Sequence, residues 1–169
     1  MPAPRSEALA PSKTLHCREG VVVAEAGRVC VVIWRGAVTE SSFGLQRDGL
    51  AQVVRNHPEG SAFLCVIEPT AKPPNDDLRV ASTRMIEGHG THLACVAVVI
   101  EGEGFRAAIT RGVISGMALV HTRRSPAGTF SNVRKAAEWI DDYIPLNATH
   151  LAKEVEAQRV KLGVSTTGL

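Results

Sequence analysis

Seven apolar residues in an unbroken row, Ala94 to Ile100 (ACVAVVI), constrain this chain more than any other stretch. They are small or β-branched and show no polar alternation, so both faces of the strand they form must be covered. That is the condition of parallel strands with helices on each side. The full stretch Leu93 to Arg111 continues into a turn carrying Gly102 and Gly104 and a helix opening at Phe105. Strand, turn and helix in this order predict an α/β protein.

The rest of the chain repeats the theme. Residues 1 to 13 hold three prolines, lack apolar periodicity and read as a tail. Val21 to Ala24, a turn at Ala26-Gly27, and Arg28 to Val38 predict an N-terminal hairpin, its first arm at the sheet's edge. A helix starting near Ser41 or Ser42, with Phe43, Leu50, Val53 and Val54 on one side, must end before Pro58. Ala62 to Ile67 is a further buried strand. Asn75 or Asp76 caps a helix to about Gly88, with Leu78, Ala81 and Met85 inward. Beyond Phe105 to Ser115, the pattern predicts a short strand at Met117 to Val120, a helix from Ser131 to Tyr143 and a last helix from Asn147 to Leu162. The expected architecture is a mixed, mostly parallel sheet of four to five strands with helices on its faces, spanning 14–146, followed by an extra C-terminal helix and tail at 147–169.

With 169 residues, 44% of them hydrophobic, the chain suits one core. Nineteen basic against seventeen acidic residues leave a net charge of +2, far from the basic stripe that nucleic acid selects, so no nucleic acid is expected as a partner. Cys17, Cys30, Cys65 and Cys95 show no CxxC spacing and three lie in apolar runs, as in a reduced cytoplasmic protein. The amino terminus lacks the apolar core of a secretory signal, and no apolar run reaches the roughly 18 residues of a membrane span.

The element order, the hairpin RVCVVIWRG, the strands AFLCVIEP and ACVAVVIEG, and the late segment TFSNVRKAAEWI resemble the STAS superfamily. The branch is that of single-domain proteins similar to the sporulation anti-sigma-factor antagonist. Ala136, Ala137 and Trp139 match its small-small-x-Trp pattern, and the resemblance spans roughly residues 20 to 143. It implies a non-catalytic binding module, of a kind that acts in bacterial partner switching. In the switching members a Ser or Thr after the strand equivalent to AFLCVIEP is phosphorylated. Here EPTAKPPNDD follows that strand, and the nearest hydroxyls are Thr70 in the loop and Ser82 and Thr83 in the helix.

Parallel strands bring their carboxyl ends to one edge, where ligands of open α/β sheets lie. Arg35, Glu68, Glu101 and His121 follow the four strands, with Thr70 and Glu103 beside them, and together form a candidate docking edge or small pocket. The plainer alternative is that buried strands regain polar residues wherever they meet water.

Other motifs point to less. IEGEGFRAA lacks a full GxGxxG, and Glu101 and Glu103 would repel a phosphate, so no nucleotide or other cofactor is assigned. His89 and His92 form an HxxH, but Gly90 breaks the helix face, no third ligand is near in sequence, and no metal is assigned. No GxSxG and no cysteine in an activating context is present, so catalysis is not expected. Gly112 and Gly116 read as helix-to-sheet packing, and Arg123, Arg124, Arg134 and Lys135 as solvated loop charge. The last helix packs in cis or mediates a homodimer or partner contact, and the pattern favours packing. The leading expectation is a protein-protein interaction or regulatory module without catalysis. The alternatives are a carrier of a small apolar ligand or lipid, and an enzyme using Glu68, Glu101 and His121, for which a raised carboxyl pKa would speak.

Overall fold

The computed structural model describes residues 10–18, 20–102 and 125–164. These residues form an α/β fold with one six-stranded mixed sheet and four helices. In chain order they are β1 (Lys13–Arg18), β2 (Val21–Ala26), β3 (Val29–Trp34), α1 (Glu40–Asn56), β4 (Ser61–Ile67), α2 (Asp76–Gly88), β5 (Leu93–Ile100), β6 (Ala127–Phe130), α3 (Val133–Asp141) and α4 (Ala148–Val164). The strands lie side by side in sequence order. β1/β2 and β2/β3 pair antiparallel, and β3/β4, β4/β5 and β5/β6 pair parallel.

The sheet is therefore wider than the four to five strands expected, and less dominated by parallel pairing. Two strands escaped the sequence pattern. β1, which apart from Lys13 lies beyond the expected tail in a stretch with no expected element, is polar at both ends (KTLHCR), but Leu15 packs under α1 and Cys17 packs on the opposite face. It covers β2, which is consequently an interior strand, buried from Val21 to Ala24, and not an edge. β6 (AGTF) has too few residues and too small a first pair to read as a strand from sequence. It occupies what looked like the loop before α3, whose helix is accordingly shorter than Ser131 to Tyr143. The predicted helix from Phe105 and strand at Met117 to Val120 lie outside the described residues.

Alternation along each strand divides the core in two. Val22, Val31, Ile33, Leu64, Val66, Ala97 and Val99 face α3 and α4, whose Ala136, Ile140, Leu151, Val155 and Leu162 cover them. Val21, Val23, Val32, Trp34, Phe63 and Cys65 face α1 and α2 and meet Phe43, Leu50, Val53 and Met85. Asn75 caps α2 as the sequence suggests, whereas α1 starts at Glu40, ahead of the Ser41 or Ser42 start expected, with Thr39 as its cap. Thr39 Oγ1 accepts from the Ser42 amide at 3.2 Å while Ser42 Oγ accepts from the Thr39 amide at 2.8 Å, and Asn75 Oδ1 accepts from the Leu78 amide at 2.9 Å. Asn132 and Asn147 do the same for α3 and α4. Among the described residues, no helix is long and apolar enough to cross a membrane.

Candidate functional site

The register of the three central strands builds the site. Trp34 lies opposite Ile67 and Ile67 opposite Ile100, so the next residues, Arg35, Glu68 and Glu101, form a row across the carboxyl ends of β3, β4 and β5. The ladder continues through them: the Glu68 amide donates to Trp34 O at 2.9 Å and the Glu101 amide to Ile67 O at 3.0 Å. Two residues beyond Ile33, Val66 and Val99, all three side chains fall on the face that α4 covers.

Arg35 Nε donates to Glu68 Oε2 at 2.5 Å and its Nη2 to Oε1 at 3.1 Å, a bidentate fork. From α4, Arg159 Nη1 donates to Glu68 Oε1 at 2.8 Å and to Glu101 Oε2 at 2.9 Å, while its Nη2 donates to Glu101 Oε1. Its Nε donates to Glu156 Oε1 at 2.9 Å, one turn back along the same helix. The Arg159 and Glu68 side chains are only 14% and 8% exposed, so the network has a desolvated centre, while Arg35 and Glu156 at its margin reach solvent.

Burial opposes the charge on Glu68, but hydrogen bonds from Arg35 and then Arg159 outweigh it and hold the carboxyl below the usual range. Burial likewise disfavours the Arg159 cation, and the carboxylates of Glu101 and Glu68 overcome that, pushing its pKa up. Arg35 is pushed up chiefly by its hydrogen bonds to Glu68. Every carboxylate oxygen of Glu68 and Glu101 accepts from a guanidinium. Glu68, held below the usual carboxylate range, has no proton to donate at neutral pH, which is the opposite of the raised pKa a general acid needs.

The rim is held by main-chain contacts. Thr70 Oγ1 donates to Arg35 O at 2.8 Å, and the Arg35 amide donates to Gly20 O at 2.8 Å. Gly20 sits at φ +74°, and a Cβ there would fall 2.8 Å from Gly36 Cα, so the turn before β2 depends on glycine. A parallel bridge between Ala37 and Lys72 ties the loop after β4 to the chain after β3.

Of the predicted edge residues, Arg35, Glu68 and Glu101 are brought together, with Thr70 bracing Arg35. Glu103 and His121 lie outside the described residues. Ser82 and Thr83 are half-buried on α2, where Thr83 Oγ1 donates to Arg79 O at 3.1 Å. His89 caps α2, and its imidazole pKa is lowered by burial, then by His92 and Arg55 nearby. Among the described residues no group of three or more His, Cys, Asp or Glu side chains is placed to hold a metal ion. Burial pushes the Cys65 and Cys95 thiols up to about 12 and Cys30 higher still. Arg134 is engaged by Glu138 at 3.1 Å.

Sequence reasoning missed Arg159. Its signal was present: Arg159 lies four residues after Val155 and three before Leu162, on the buried stripe of α4, where a charge needs a partner. It also missed the polar row beside it. Glu154 Oε2 accepts from the Ser12 amide and hydroxyl, both at 2.6 Å, and Gln158, 1% exposed, donates to Ser12 Oγ and accepts from Thr14 Oγ1, both at 2.8 Å.

Fold and site together define a mixed-sheet α/β module whose carboxyl edge is closed by an intramolecular ion-pair network. No family model matches the chain, and no curated protein matches it.

Proposed function

We infer that the chain is a non-catalytic protein-interaction module of STAS-like type, docking a partner protein at the rim of the carboxyl edge and along α2. The observation that carries this reading is the division of labour at the edge. Glu68 and Glu101 are consumed by Arg35 and Arg159, while residues of the loop that follows Glu68 are exposed. Lys72, Pro73 and Asn75 are exposed on a loop tied by the Ala37 bridge and the Asn75 cap, and Asp76 and Asp77 are exposed in the first turn of α2. Val80, 50% exposed on α2, supplies an apolar contact in the middle of these charges. A rigid polar rim around an apolar residue suits recognition better than group transfer.

A groove of about 320 Å³ between α3 and α4 is lined by Ala148 and Ala152 together with the charged Arg134, Glu138, Lys153 and Glu156.

The test is native mass spectrometry of the protein purified gently from its own host, followed by hydrogen exchange of the recovered complex. The expected result is a stoichiometric second polypeptide that protects residues 70–75 and α2 and is lost from Val80→Glu. Protection confined to another face, or retention of the partner by Val80→Glu, overturns the reading.

A further inference from the structure

The two edges of the sheet are finished differently. β1 carries Lys13 and Arg18 at its ends, bulges between Thr14 and His16, and is strapped by Gln158 and Glu154 of α4. Charge, a bulge and cover are the devices that keep an edge from pairing with another chain. Among the described residues β6 has none of them: Ala127, Gly128, Thr129 and Phe130 are uncharged, and no strand lies beyond it. Val96 donates to Pro126 O at 2.9 Å with Ala127 in register, so the alternation of a parallel ladder turns the amides and carbonyls of Ala127 and Thr129 away from β5.

An aromatic ladder stands beside this strand. Phe130 packs on Trp139 with ring centroids 5.3 Å apart, and Trp139 on Tyr143 at 4.7 Å. These are the single tyrosine, one of two tryptophans and one of four phenylalanines in the chain. Tyr143 is 42% exposed. A Cβ on Gly128 would lie 2.8 Å from the Phe130 ring, so glycine lets the ring fold over the edge strand.

We propose that β6 is a homodimer interface, at which two copies pair antiparallel across a two-fold axis normal to the sheet and form one continuous twelve-stranded sheet. Self-pairing suits this edge because like meets like in an isologous contact, and Ala127–Phe130 brings no charge against its own copy. The flanking charges are self-complementary as well. The same axis sets α3 antiparallel to its copy, so exposed Lys135, near the start of the helix, faces exposed Asp142 just past the end of the other. Outward main-chain groups of two residues per copy supply few hydrogen bonds, and the paired aromatic ladders supply the apolar area.

Sedimentation equilibrium of the full chain over a dilution series tests this. The expected species is a dimer of two 18.0-kDa chains that dissociates on dilution. Lys135→Asp weakens it about tenfold by setting like charges opposite each other, and Lys135→Asp with Asp142→Lys restores it. Thr129→Pro, which removes an outward amide and leaves the β5 ladder intact, gives a monomer that melts as the parent chain does. A monomer at every concentration, a dimer indifferent to Lys135→Asp, or a monomer that takes up an extended foreign peptide along β6 overturns the proposal.

Discussion

Arg159, in the last helix, bridges the Glu68 and Glu101 carboxylates that end two neighbouring strands, 91 and 58 positions away in sequence. One guanidinium thereby joins α4 to β4 and β5 at the point where the sheet meets solvent. Arg159→Ala leaves Glu101 without its donors and Glu68 with Arg35 alone. Removing one member of a buried pair strands the other, and the expected loss is about 3 kcal/mol. Urea unfolding should show a lower midpoint at unchanged slope. Arg159→Lys, which replaces a planar fork by a point charge, should recover only part of the loss.

Acid should loosen the same network. The folded-state pKa of Glu68 lies below its unfolded value, so its contribution is complete above the unfolded carboxylate range, near about 4.3, and fades as pH falls through the folded pKa. Glu154, lowered by its hydrogen bonds from Ser12, acts in the same sense. Stability measured by urea unfolding should therefore fall between roughly pH 5 and pH 3. Glu68→Gln should be less stable at pH 7 and show a shallower decline; an unchanged slope would remove Glu68 from the account.

Two glycines of α1 make opposite predictions. A Cβ on Gly49 would lie 2.3 Å from Val23 Cγ1, whereas on Gly44 it would meet only the end of Arg47 at 3.8 Å. Gly44→Ala should stabilise by about 0.5–1 kcal/mol through backbone entropy. Gly49→Ala gains the same term but forces α1 off β2, an overpacking cost of about 1–3 kcal/mol. The net effect should be a loss, and Val23→Ala in the Gly49→Ala background should return part of it. A double-mutant cycle by thermal melting measures that coupling.

Gln46 is buried at 4% exposure because the Trp34 indole N–H donates to its Oε1 at 3.0 Å. Gln46→Leu keeps the volume but removes the oxygen that accepts from the indole. The expected cost is about 1–2 kcal/mol, read from the urea midpoint, with a shift in tryptophan emission as the environment of Trp34 changes.

Much of this molecule is local chemistry and could be read before any coordinates. The unbroken apolar runs of β3, β4 and β5 cannot tolerate water on either face, and Asn75 satisfies a helix amide three residues from itself. The position of Arg35, Glu68 and Glu101 at strand ends was legible for the same reason. Only the tertiary structure decided that β1 and β6 are strands, since a short or polar segment becomes one when a neighbour offers it a ladder. Only it decided, too, that the carboxyl edge is closed. Glu68 and Glu101 carry no mark of their partner in their own surroundings. The chain must fold α4 across the sheet before the half-buried Arg159 and Glu101 and the buried Glu68 find the arrangement that offsets their lost hydration.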